Sequence, residues 1–415
     1  MTALLTAVPA VLAAGFGTVA LSSCGSCEST VRQTAIPVLA AGTFDGVAAD
    51  QGSHRVFFAD QSARGVDVVD VSASTPRFMG TAPLQASPNG LAFAAGPKRL
   101  YVGMDGGQLA VFDADSRSGR YMQVVDTVTI ASATASSTTA SSTPAADLLD
   151  YSPRDGRLYV GTADGGSVVV VDTATDKAVG TIDLKTPVEQ PRFDSADGKL
   201  YVTAPHKDSV LQIEPSTGKI TRTFTLPRCH PSGLAINPSR QLALAACGGS
   251  MAVFNLRTGL NELSRTVPGG DIVDYDATLD RFTVGSSHGA HDSSVGVFTG
   301  DARLVGMVSS SPGAHGAVFD DRSGLLYAIG TAGLLSFSPA ACAPLPDWLT
   351  FVGGASVFIA PLLAFGLFLV WYARRRSRGA APSQPTWEQL QKEDLASERE
   401  RMRDIENAIY GSEGG

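Results

Sequence analysis

Gly156-Arg157-Leu158-Tyr159-Val160-Gly161 is the stretch that decides the fold, because the chain writes it more than once. The same grammar stands at Lys98-Arg99-Leu100-Tyr101-Val102-Gly103 and at Gly198-Lys199-Leu200-Tyr201-Val202-Thr203. It stands more loosely at Ser323-Gly324-Leu325-Leu326-Tyr327-Ala328. A spacing of roughly 40 to 45 residues marks a repeat architecture, in which no single unit can bury its apolar face alone.

Outward from each copy the surroundings repeat too. A turn such as Ser87-Pro88-Asn89-Gly90 opens the unit, and a short apolar run, Leu91 to Ala94, follows it. After the Leu-Tyr-Val segment comes a small-residue loop, Asp105-Gly106-Gly107 or Asp164-Gly165-Gly166. A third run then ends on an acid: Gln108 to Asp113, Ser167 to Asp172, Ser209 to Glu214. A more polar fourth run closes the unit, as in Lys177 to Leu184 and Lys219 to Leu226. Short Val-, Ile- and Tyr-rich runs bounded by Gly, Pro, Asn and Asp read as strands. Four strands per unit around a continuous apolar inner run predict the blade of a β-propeller.

The second strands centre near Phe57, Tyr101, Tyr159, Tyr201, Ala243, Thr283 and Tyr327, which counts seven blades. The long step from Tyr101 to Tyr159 holds an insertion, Ala131 to Pro144. It is almost all Ala, Ser and Thr, and such a composition cannot bury apolar surface. The last unit has three strands before Ser338. Val31 to Gly42 resembles the other outer strands and is expected to supply the fourth, sealing the ring.

Tyr201-Val202-Thr203-Ala204, Tyr159-Val160-Gly161-Thr162 and Val169-Val170-Val171-Asp172-Thr173-Ala174-Thr175 resemble the YVTN-type β-propeller repeat family, over about residues 31 to 340. The resemblance implies a seven-bladed propeller and a binding role. It implies no particular chemistry.

Outside the repeats the chain reads as a membrane-anchored protein. Residues 1–27 form a signal or N-terminal anchor segment, the propeller occupies 28–345, a transmembrane helix 346–373 and a cytoplasmic tail 374–415. Trp348 to Tyr372 carries no charge and exceeds the roughly 20 apolar residues that cross a bilayer. Arg374-Arg375-Arg376-Ser377-Arg378 follows, and basic residues stay on the cytoplasmic side, so the propeller is expected outside the cell membrane. Thr386-Trp387-Glu388-Gln389 is a capping-box pattern that opens a tail helix, with self-association through the tail as one role for it. Leu21-Ser22-Ser23-Cys24 matches a bacterial lipoprotein cleavage site, which would lipidate Cys24. The formal charge of −8 and the lack of a basic face elsewhere argue against nucleic acid as a partner.

Five cysteines in an exported chain invite pairing. Cys229 precedes a first strand and Cys247 ends the antiparallel neighbour, so these two are expected to bridge. Cys342 follows the last third strand and pairs with Cys27, or alternatively with Cys24.

Two candidate sites lie on the face turned away from the membrane. Residues just before each first strand ring the channel mouth: Asp45, Asn89, Glu189, Asp271 and His315. Converging carboxylates and an amide suit a hard cation such as Ca²⁺; the competing reading is turn capping. His230, His288, His291 and His315 form a second set, able to hold a transition metal through imidazole nitrogens. No cofactor other than such a divalent metal is implied. No nucleophile elbow, phosphate loop or haem-attachment motif is present, so a binding or scaffold module is expected, meeting a protein or small ligand on the outward face. The alternatives are a metal-assisted hydrolase or lactonase at the channel mouth, and a metal-binding accessory protein using the histidines.

Overall fold

A computed structural model describes residues 32–34, 43–130, 144–264, 267, 269–286 and 293–338, with scattered helical positions between 392 and 403. The chain divides into Met1–Pro344 and Leu345–Gly415. In the second unit the few described residues, scattered between 392 and 403, are helical. No helix among the described residues is long and apolar enough to cross a membrane. The insertion at 131–143, the expected span Trp348–Tyr372, Cys24, Cys27 and Cys342 lie outside the described residues.

The first unit is a seven-bladed β-propeller of seven four-stranded antiparallel sheets. The inner strands are Phe44–Asp50, Pro88–Ala94, Leu149–Ser152, Pro191–Asp194, Leu234–Asn237, Gly270–Asp276 and Ala317–Asp320, in blades 1 to 7. Six blades are sequential hairpins. Blade 7 takes its outer strand from the N-terminus: Arg32–Thr34 pairs with Gly333–Phe337, Gln33 opposite Leu335.

Second and third strands are buried on both faces, as in Arg99–Met104 and Ser167–Asp172. That is why they read as unbroken apolar runs rather than as alternation. The outer strands of blades 3 and 4 are exposed except for one inward anchor, Ile182 in Lys177–Asp183 and Phe224 in Lys219–Thr225. Five outer strands also break register at one shared place in the blade, where a bulge sits opposite Val68/Val69, Val111/Phe112, Val170/Val171, Gln212/Ile213 or Val297/Phe298. A bulge twists a free edge and discourages pairing with another chain.

The core is not one mass. Each of its seven apolar clusters spans two neighbouring blades, and together they run around the ring from blades 1 and 2 to blades 7 and 1. Polar latches reinforce the joins. The Gln241 amide donates to Asp194, and His54 Nδ1 lies 2.7 Å from Asp320 Oδ1 across the seam between blades 1 and 7. Gln51 spans the same seam, donating to the Phe319 carbonyl and accepting from the Asp321 amide. His54 and Gln241 share one turn position with Lys98 and Asp280, and all four adopt left-handed φ near 50°. Arg55, Arg99, Leu242 and Arg281, one residue later, each start a second strand.

Candidate functional site

Strand register fixes the geometry of the channel. Val47, Leu91, Leu149, Pro191, Leu234, Val273 and Ala317 occupy one equivalent position, each opposite the matching residue of its second strand. Two residues earlier in every blade stand Asp45, Asn89, Asp147, Glu189, Ser232, Asp271 and His315. All seven are polar and four are acids. Asp45, Asp147, Glu189, Asp271 and His315 feel one another's charge, and Gln61 links Asp45 to Asn89, so these equivalent positions gather in a ring at one mouth of the channel. In blades 1, 2 and 6 the ring residue lies in a bulge between residues 44 and 47, 88 and 91, or 270 and 273.

The ring is drawn tight by backbone contact. An ideal Cβ on Gly90 would lie 2.5 Å from the Asp147 carbonyl oxygen, and one on Gly233 only 1.8 Å from that of Asp271. Beneath the ring the buried Gln190 side chain accepts from the amides of Leu234 and Val273, tying blade 4 to blades 5 and 6.

The ring's side chains interact. Gln61 donates from Nε2 to Asp45 Oδ2 at 3.2 Å and to Asn89 Oδ1 at 3.3 Å. Asn89 Nδ2 donates to Asp105 Oδ1 and to the Ala146 carbonyl. His315 Nδ1 lies 2.6 Å from Asp271 Oδ2. Glu189 hydrogen-bonds Asp147, a carboxyl pair that holds a proton between its members.

Charge is crowded here. Burial, then the charges of Asp147, Asp271 and Asp105, push Asp45 up to about 7, with His315 pulling the other way. Burial, then Asp147 by charge and hydrogen bond, then Asp271 and Asp45, push Glu189 up to about 8. His315 is raised by its hydrogen bond to Asp271, and further by the charges of Asp271 and Asp45. Protons thus stand in for the counterion that five neighbouring acids, Asp105 included, would otherwise demand.

All five mouth residues named from the sequence therefore stand at equivalent ring positions. Asp147 and Ser232 complete the ring and were not read from the sequence. Asp147 follows the long insertion, which hides its blade phase. Ser232 sits three residues after Cys229, in a loop that the repeat pattern does not mark.

The histidine set stands differently. His288 and His291 lie outside the described residues. His230 is exposed and lies 3.6 Å from Asp208, and His315 is engaged with Asp271. Among the described residues the group of three metal-capable side chains is instead His54, Asp320 and Asp321, at the opposite end of the channel. There His54 and Asp320 already satisfy each other, and Asp320 Oδ2 accepts from the Ser323 amide.

Cys229 and Cys247 are disulfide-bonded, with Cα atoms 4.6 Å apart. The bridge fixes the loop that carries His230 and Ser232. Repeated acids at third-strand ends serve as turn caps: Asp70 accepts from the amide of Ser72, Asp113 from Asp115, and Asp172 from Ala174 and Thr175.

No family model matches the chain, and no curated protein matches it. Solved structures share its fold. Selenomethionine-substituted virginiamycin B lyase from Staphylococcus aureus is 13% identical with a TM-score of 0.58, over 74% of this chain and 98% of that one. A chain of the mitotic checkpoint complex is 13% identical with a TM-score of 0.57, over 74% of this chain and 90% of that one. At such identity the likeness is one of fold alone.

Proposed function

We propose that this chain is a membrane-anchored, extracytoplasmic β-propeller of the YVTN type. It acts as a binding or scaffold module whose ligand enters the acidic mouth. The observation that supports this reading is the ring itself: four acids, an amide, a hydroxyl and an imidazole at seven equivalent positions. Crowded carboxylates that retain protons near neutral pH favour a cation, or a cationic group of a larger ligand, because it replaces those protons. Ca²⁺ is the simplest probe, since oxygen donors suit it.

The test is calorimetric titration of the full chain with CaCl₂ at pH 7.5, in two buffers of different ionisation heat. Binding accompanied by proton release is expected, weakened at least ten-fold in Glu189→Gln. Absence of both heat and proton release at millimolar calcium would sink the cation reading. Membrane placement has its own test, labelling of Ser412→Cys in sealed cells. Protection from an impermeant reagent is expected; labelling from outside would reverse the orientation.

A second reading, a hydrolase acting on lactones or esters at the same mouth, is favoured by the His315–Asp271 pair. A carboxylate that orients an imidazole makes it a general base. A lyase and a checkpoint-complex chain share this fold, so architecture does not choose between catalysis and binding. Turnover of a lactone panel that vanishes in His315→Gln would select the enzyme.

A further inference from the structure

The two ends of the propeller differ. The mouth residues precede the first strands, so first and third strands run from the mouth to the far end, and outer strands begin at the far end. Gly333–Phe337 therefore finishes there, and Arg32, opposite Ser336, starts its own strand there. Both described ends of the propeller chain lie on the side opposite the acidic mouth.

The same side carries most of the exposed apolar surface. Six large hydrophobic side chains stand exposed among the described residues. Met79, Val124, Val179 and Ile220 fall within the first three positions of their outer strands, and Leu260 immediately precedes a fifth outer strand. At a rise of about 3.3 Å per residue, all five stand within roughly 10 Å of the far rim. One such residue in each of blades 1 to 5 makes a band, where chance exposure would scatter them over both ends.

Bases accompany the band. Arg154, Lys177, Lys219, Arg257 and Arg322 are exposed in the turns and strand starts of this end, and none is ion-paired among the described residues. Acids share this end but are set deeper. Asp70 is 12% exposed beside Arg77 at 66%, and Asp113 is 7% exposed beside Arg120 at 65%. The outermost charges of the far rim are therefore cationic, while the mouth is acidic.

We infer that the far face rests on an anionic lipid surface, with the bases against phosphate headgroups and the apolar band at headgroup depth. The inference rests on the membrane-anchored reading and names the surface that the propeller meets. The chain itself points to this occupant. Only Pro339 to Asp347 separates Ser338 from Trp348, where the uncharged stretch begins, and ten residue steps reach at most about 35 Å. Bases within a Debye length of anionic lipid are attracted to it, and the apolar band adds buried area. The acids of the mouth are repelled by the same surface, so the lipid selects the far face.

The test uses the full chain in bilayer discs of phosphatidylcholine, with and without about 30% phosphatidylglycerol. Lysines are acetylated with uncharged N-acetoxysuccinimide and read by mass spectrometry. Blades 3 and 4 supply their own controls: Lys177 and Lys219 stand at the far rim, Lys185 and Lys207 at the mouth end. Lys177 and Lys219 are expected to react at least three-fold more slowly in the anionic discs, with Lys185 and Lys207 unchanged. In 1 M NaCl, where the Debye length is about 3 Å, the difference should shrink. Arg154→Glu with Arg257→Glu, and separately Val179→Ser with Ile220→Ser, should each at least halve the protection; all four are exposed positions. A chain that elutes apart from the discs in 1 M NaCl would sink the anchoring reading and this inference with it. A chain that stays with the discs but shows equal Lys177 and Lys219 labelling in both lipids overturns this inference alone. Slower labelling of Lys185 and Lys207 instead would put the mouth on the bilayer and overturn it too.

Discussion

Single residues here reveal where the repeat has been overruled. The position opposite Phe58 in the third strand of blade 1 is Asp67; its counterparts in the other blades are Ala110, Val169, Leu211, Ala252, Gly296 and Leu335. Asp67 is fully buried, Thr81 donates to its Oδ1, and its Oδ2 has no partner. Burial pushes its pKa from 3.8 up to about 6, with a small addition from Asp60. A carboxyl raised in the folded state supports folding while protonated, below pH 4, and that support is lost as pH climbs through 6. The cost above that range is roughly 2–3 kcal/mol. Asp67→Asn should match the wild type in urea midpoint near pH 4 and exceed it at pH 8; parallel curves across this range would refute the assignment. Gly233 shows the opposite constraint, a residue that cannot grow. Gly233→Ala drives a methyl into the Asp271 carbonyl and should cost about 3 kcal/mol by overpacking. It should also disturb the His315–Asp271 contact, visible as a changed His315 titration by NMR.

At the scale of elements, the strands were legible because each obeys a local rule. Doubly buried second and third strands produce Leu-Tyr-Val and Val-Val-Val-Val runs, and turn chemistry at Asp-Gly-Gly and Pro-Asn-Gly punctuates them. The mouth positions in blades 1, 2, 4, 6 and 7 followed from counting back from the first strand. Asp147 was lost because the insertion before Pro144 breaks the count. The contacts of Arg192 with Asp150, Asp274 and the Val273 carbonyl were lost because they gain meaning only across the channel, between blades that are distant in sequence. The Cys229–Cys247 bridge was legible for the reverse reason: its two strands are sequential antiparallel neighbours. It closes a loop with a sequence separation of 18, which by chain-entropy reasoning contributes about 3 kcal/mol. The Cys229→Ala, Cys247→Ala double variant should lose that much in a denaturant titration, and dithiothreitol should lower its midpoint by less than it lowers the wild type's. Wild-type stability that ignores the reductant would show that the bridge constrains nothing.

For the whole molecule, stability is a circle of seven interfaces, and the circle is only as firm as its weakest joint. Six joints link blades that follow one another along the chain. The seventh, between blades 7 and 1, joins the two ends. Its described outer strand, Arg32–Thr34, has three residues, against seven in Lys177–Asp183. Its cluster contains Phe58 and Tyr327. Asp67 pairs with Phe58 across the strands and shares its face, so the orphaned Asp67 carboxylate oxygen falls in this joint. Buried polar atoms without partners cost roughly 1–3 kcal/mol each, and local openings begin where such costs gather. The His54–Asp320 contact and the Gln51 bridge oppose that opening from the far end of the channel. Amide exchange should therefore show lower protection factors in Gly333–Phe337 than in Ser167–Asp172, the equivalent third strand of blade 3. The gap should widen from pH 5 to pH 8 as Asp67 ionises, and Asp67→Asn should narrow it. Equal protection of the two strands at pH 8 would mean that ring closure is as firm as any internal joint, and the seam would lose its place as the point where this propeller opens.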